Sequence, residues 1–167
     1  MTRGQREALR RSFQPSKVKL LFIGESPPAS GRFFYSGDSG LYRAMRDVFR
    51  TLDPSISNAT FLQTFRVSGC YLVDLCREPV DKLPPRLRRA ACVVAEKPLA
   101  RIIARVQPRM IATLVRSIEG NVTRALERGR WKGPIFNLPY PGRSSRHRTS
   151  FGYQLLPTLR RALRQPK

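Results

Sequence analysis

Four short apolar runs, each separated from the next by a stretch of helical periodicity, constrain this chain more than any other feature. The runs lie at 18–23 (Val-Lys-Leu-Leu-Phe-Ile), 70–75 (Cys-Tyr-Leu-Val-Asp-Leu), 110–115 (Met-Ile-Ala-Thr-Leu-Val) and 134–138 (Pro-Ile-Phe-Asn-Leu). Runs this short, containing β-branched and aromatic residues, read as buried strands. Between them the apolar spacing changes to three and four. Leu41, Met45, Val48, Phe49 and Leu52 share one face of a helix over 40–52, with Ser39 as its N-cap. A helix over 85–96 is kinked or restarted at Pro98, and Leu99, Ile102, Ile103 and Val106 carry its apolar face on. Further helices are predicted over 119–128 and 152–164, the last burying Leu155, Leu156, Leu159 and Leu163. Strand and helix alternating in this way predict an α/β fold: three α/β/α layers around a mostly parallel four-stranded sheet.

Residues 1–17 are polar and basic; Gln5 to Ser12 could form a short helix, but the segment is expected to be a loosely held arm, leaving 18–167 as a single domain. No apolar run reaches the ~20 residues that span a membrane, and Met-Thr-Arg-Gly-Gln-Arg has no signal-peptide core. The cytosol is therefore the expected location, nucleoid-associated if the source is bacterial. Cys70, Cys76 and Cys92 are too few, and odd in number, for a disulfide framework.

Charge narrows the partner. Thirty-two Lys and Arg face 11 Asp and Glu, a net of +21. From 124 onward eleven basic residues are opposed by Glu127 alone, so about half of the net charge sits in the last quarter. Such an excess fits a polyanion, nucleic acid before a membrane surface. With one histidine, His147, the His-based zinc sites and Cys–His nucleophile pairs have little support. No phosphate-binding Gly-x4-Gly-Lys-Ser/Thr run is present.

Two proline-rich loops follow the first and last strands: Gly24-Glu25-Ser26-Pro27-Pro28 and Leu138-Pro139-Tyr140-Pro141-Gly142-Arg143. Gly24 would permit a sharp exit from its strand. In an open parallel sheet both loops leave on the carboxyl edge, where they can face each other across a cleft. An aromatic run, Phe33-Phe34-Tyr35, lies in the long loop after the first strand. Aromatics within a basic cleft suit a flipped or single-stranded base.

In this order the motifs resemble the uracil-DNA glycosylase superfamily, nearest its family-four branch. That branch has Gly-Glu-x-Pro-Gly after strand one and then Gly-Arg-Pro-Phe-x-Gly. The counterparts are Gly24 to Pro28 and Gly31-Arg32-Phe33-Phe34-Tyr35-Ser36-Gly37. Cys76-Arg77-Glu78-Pro79, Cys92 and the strand after Pro108 follow in the family's order, and Leu138-Pro139-Tyr140-Pro141 stands where the family has His-Pro-Ser. The resemblance implies a DNA glycosylase that hydrolyses the N-glycosidic bond of a deaminated or damaged base flipped from DNA. Glu25 and Ser26 would be catalytic, with Glu25 orienting the water. Gly24, Pro27, Phe34, Tyr35, Asp74 and Tyr140 would surround the base, Phe34 by stacking. Pro139, Pro141, Gly142, Arg143, Arg146, His147 and Arg148 would hold the DNA, with 143–148 forming a basic loop. The implied hydrolysis needs no metal or redox cofactor. Cys76 and Cys92 match two ligands of the family's iron–sulfur cluster, but the N-terminal region supplies no other pair, so no cluster is expected. The partner is DNA, double-stranded with a damaged base or single-stranded, and the protein is expected to be monomeric. Two departures keep alternatives open. Leu138 replaces the loop histidine, and Tyr71-Leu72-Val73 holds no base-reading amide. A non-catalytic DNA-binding member of the same fold, or an RNA-binding protein, would share the same charge and groove.

Overall fold

The computed structural model describes residues 1–142 and 144–164. Its centre is a four-stranded, all-parallel sheet of β1 (Leu20–Gly24), β2 (Cys70–Asp74), β3 (Met110–Thr113) and β4 (Ile135–Asn137), in the order β2-β1-β3-β4. Every residue of β1, β2 and β3 is buried. That explains why these strands stand in the sequence as continuous apolar runs, without alternation. In register, Gly24 pairs with Asp74 at the carboxyl end of the sheet, and Ile23 pairs with Thr113.

Helices α2 (Gly40–Arg50) and α3 (Phe61–Val67) cross from β1 to β2. Helix α4 (Pro85–Val106) crosses from β2 over β1 to β3, and α5 (Glu119–Arg128) from β3 to β4. Right-handed crossovers running in opposite directions place α2 and α3 on one face, and α4 and α5 on the other. The packing agrees: α4 lies on α5, and α2 lies on the terminal helix α6 (Ser145–Leu163). The three-layer α/β/α architecture is therefore present. The strand order reverses between β1 and β3, where parallel sheets open a crevice beyond their carboxyl ends.

Ser39 caps α2 as expected, accepting the Tyr42 amide at 3.1 Å. Several expectations are corrected. The basic arm is a packed helix, α1 (Arg3–Ser12), closed by a Thr2/Gln5 capping box. Its Arg6 reaches the Arg77 carbonyl and Glu78, Arg10 is buried, and the Phe13 ring just beyond it stacks on Tyr35 at 5.6 Å. Helix α4 runs without interruption through Pro98 and stops at Gln107, whose φ is 43°. Helix α3 has no counterpart among the predicted elements; it buries Phe61 and Phe65 one turn apart. The basic loop is largely the first turn of α6. Ser144 caps that helix, accepting the His147 amide at 3.2 Å.

Candidate functional site

A cleft of about 860 Å³ opens at the carboxyl ends of β1, β2 and β3. Gly24 to Pro28 form one wall, and Tyr140, Gly142 and Arg148 contribute from the second loop and α6. Both proline-rich loops therefore meet across the sheet edge, as their positions after β1 and β4 require. Phe33, Phe34 and Leu72 line the interior. Arg32, Arg43, Arg46, Arg88 and Arg148 also line it, together with Asp47 and Asp81; Arg46 is paired with Asp47 at 2.7 Å and Arg88 with Glu25.

The first loop is fastened to the chain that follows β2. Leu75 and Cys76 donate their amides to the Gly24 and Glu25 carbonyls at 2.9 and 2.8 Å. Val80 donates to the Ser26 hydroxyl at 3.3 Å, and Ala29 donates to the Asp81 carboxylate at 3.0 Å. Glu25 faces the cleft with both oxygens held by Arg88, whose Nε donates to Oε1 at 2.7 Å while its second nitrogen binds Oε2. Nothing in the sequence singles out Arg88. It lies on the first turn of α4, where helix periodicity alone assigns it no partner.

Asp74 contrasts with Glu25. It ends β2, is 6% exposed, lines the cleft, and has neither a hydrogen bond nor an ion pair among the described residues. Burial raises its pKa from the usual carboxylate range to about 6, against the lowering influence of Arg10. Gly24 makes room for it. A Cβ on Gly24 would come within 2.8 Å of Asp74 Oδ1, and Gly24 is not among the left-handed residues. Close approach, not a sharp exit, is therefore what requires glycine at this position.

The aromatic run departs from its expected role. Phe34 lines the cleft but is 4% exposed, wedged against Tyr35, Phe61 and Phe65 with ring centroids 5.0–6.2 Å away. It is a core anchor whose surface reaches the cleft. Tyr35 does not line the cleft. Its buried hydroxyl accepts the Leu72 amide at 2.8 Å and donates to the Leu72 carbonyl at 3.0 Å, which satisfies the open edge of β2. Its pKa is raised well above the ordinary value by burial. Tyr35 is therefore a structural residue, not a base contact.

In the second loop Leu138 is buried and turned away from the cleft, whereas Tyr140 is half exposed on its rim. Gly142 holds a left-handed φ of 56° and lies so close to His147 that a Cβ would come within 3.2 Å of Nδ1. His147 Nδ1 is 2.7 Å from the Ser144 hydroxyl, within the cap of α6. Arg146, His147 and Arg148 are exposed on the first helical turn; Pro139 is partly buried and Pro141 buried. Arg143 lies outside the described residues.

Cys76 and Cys92 come together, Sγ to Sγ at 3.8 Å, and Cys92 Sγ lies 4.0 Å from Glu25 Oε1. Burial pushes the Cys76 thiol up to about 12. Among the described residues no group of three or more His, Cys, Asp or Glu is placed to hold a metal ion. No described helix is long and apolar enough to cross a membrane. Neither a family model nor a curated protein matches the chain.

Proposed function

We propose that this protein is a DNA glycosylase that takes a damaged base, flipped from DNA, into the cleft and hydrolyses its N-glycosidic bond. The observation that carries this reading is the cleft itself: an apolar interior of Phe34 and Leu72, carboxylates at Glu25, Asp47, Asp74 and Asp81, and five arginines at the carboxyl edge of the sheet. A base enters the interior while its sugar and phosphates remain at the cationic rim. Glu25, its orientation fixed by Arg88, directs water toward the sugar carbon as the bond to the base breaks. Ser26, whose hydroxyl oxygen accepts the Val80 amide at 3.3 Å, keeps its own O–H to donate toward charge on the departing base.

Helix α6 supports the nucleic-acid part of this reading. Its first turn carries Arg146, His147 and Arg148 and no acid. Cations at the positive end of a helix dipole are unfavourable alone and become favourable when a phosphate sits between them. Tyr140, on the rim, is placed to fill the gap that the flipped nucleotide leaves.

One observation favours a second reading. Both oxygens of Glu25 are engaged by Arg88, which suits a DNA-binding member of the fold without chemistry. The two readings separate on a panel of duplex and single-stranded oligonucleotides, each with one uracil, hypoxanthine, xanthine, oxidised guanine or mismatched base, scored for abasic sites. A glycosylase leaves abasic sites on at least one substrate, and Glu25→Gln slows that reaction far more than it weakens binding. Tight binding with no abasic site on any substrate would leave the binding reading alone. In either case the Arg146→Ala/Arg148→Ala pair weakens binding to all sequences alike and flattens the salt slope by about one for each phosphate no longer neutralised.

A further inference from the structure

We propose that Asp74 reads the edge of the base in this cleft, selecting a guanine-type edge with two adjacent N–H donors over a uracil-type edge; this rests on the cleft receiving a base. The geometry carries the inference. Asp74 is more than nine-tenths buried, lines the cleft, and meets no donor among the described residues. Neither carboxylate oxygen is sealed from solvent, so Asp74 opens onto the cleft alone, and a ligand that fills the cleft and displaces that water must bring N–H groups in its place. Gly24 leaves the space that the carboxylate occupies; any side chain there would push against Oδ1. The nearby cations do not satisfy it. Arg10 binds Glu7 through one terminal nitrogen at 2.8 Å, while its buried Nε meets no acceptor, Asp74 included, and Arg6 is bound to Glu78 and the Arg77 carbonyl.

An ionised carboxylate only accepts hydrogen bonds, through two oxygens side by side. The complementary partner is a pair of parallel N–H groups, which guanine offers at N1 and N2. Uracil offers one N–H flanked by two carbonyl oxygens, and those oxygens would face the carboxylate and repel it. Asparagine, with one acceptor and one donor, would match uracil instead. Asp74, with a pKa near 6, is mostly ionised at pH 7.5. The substrate class is therefore a lesion derived from guanine that keeps its N1–H and N2–H2 edge, not a deaminated pyrimidine.

The test uses 11-nucleotide single strands of abasic tetrahydrofuran units that carry one guanine, one hypoxanthine or one uracil, so that phosphate charge is constant and only the base differs. At pH 7.5 the full-length protein is expected to bind the guanine strand at least tenfold more tightly than the uracil strand, with hypoxanthine between them. Asp74→Asn should abolish or reverse that order, and Gly24→Ala should weaken it by displacing the carboxylate. Equal affinities in the wild type, or an unchanged preference in Asp74→Asn, overturn the inference. The abasic-site panel is independent. A guanine preference that depends on Asp74 without any abasic product upholds the inference and defeats the glycosylase reading. Abasic products at uracil, formed equally well by Asp74→Asn, do the reverse.

Discussion

The two walls of the cleft are built differently. The first, 24–31, is tied to 75–88 by backbone amides, by side-chain acceptors on Ser26 and Asp81, and by the Arg88–Glu25 pair. The second, 138–148, is positioned by the Leu138 amide on the Thr113 carbonyl at 2.9 Å and by the Ser144 cap, and its Tyr140 stands half exposed. A wall that must hold reacting atoms in register needs rigid supports, whereas a wall that meets a long polyanion needs reach and charge. On the proposed function, the contrast would give recognition to the first wall and docking to the second.

The strongest test of that division is a pair of aromatic truncations. Phe34→Ala, beneath the first wall, is expected to cost ~3–5 kcal/mol in urea unfolding, the usual range for a buried phenylalanine. Tyr140→Ala on the second is expected to stay within ~0.5 kcal/mol. Similar losses at both positions would erase the difference between the walls.

Asp74→Asn sharpens the comparison through pH. Burial raises the native pKa of Asp74 above its unfolded value, to about 6. Arg10 and Arg6 of α1 act to lower it and Glu7 to raise it, while Tyr35, Cys76 and Tyr140 face the same carboxylate. The native state then binds more protons than the unfolded state between roughly pH 4 and 6. This contribution to stability is fully present below pH 4 and is lost as the pH rises through 6. A tenfold difference in proton affinity between the two states is worth about 1.4 kcal/mol, so at pH 7.5 Asp74→Asn should be more stable than the wild type by ~2–3 kcal/mol. At pH 3.5 the gain should vanish. A variant less stable than the wild type at pH 7.5 would mean that the carboxylate has a partner.

Two smaller effects follow. Tyr35→Phe should cost ~1–3 kcal/mol, because the Leu72 amide and carbonyl lose their partner in a buried site. Protection of the Leu72 amide from hydrogen exchange should fall with it. Arg146→Ala, at the first turn of α6, should gain ~0.3–1 kcal/mol by removing a cation from the positive end of the helix. Destabilisation by Arg146→Ala would place that side chain in a supporting role and weaken the docking assignment.

The layer order and the cleft position were legible in the sequence because they depend on period and sequence order. Continuous apolar runs mark β1 to β3, and the two proline-rich loops had to emerge on one edge. The misreadings occurred where tertiary contacts override local signals. Pro98 fits within α4 because a helix long enough to pack on α5 tolerates one missing amide bond. The basic N-terminal segment becomes a helix because Thr2 and Gln5 cap it and Glu78 awaits Arg6. Phe33, Phe34 and Tyr35 read as loop aromatics, and no local pattern shows that Tyr35 faces the Leu72 backbone. The pairing of Glu25 with Arg88 joins residues 63 apart, beyond the reach of periodicity. The isolation of Asp74 was equally hidden, because the lack of a partner is a property of the fold.

The hydroxyl of Tyr35 also decides how this sheet ends. A parallel sheet has two open sides, each a template for a strand from another molecule. On the β2 side, Tyr35 occupies the Leu72 amide and carbonyl that an incoming strand would use. On the β4 side the strand is three residues long, and Arg161 lies over Phe136 at 5.7 Å. One side is capped at its middle residue by a side chain, and the other is short with a cation over its ring. Both devices disfavour a fifth strand at the sides of the sheet, away from the cleft at its carboxyl edge.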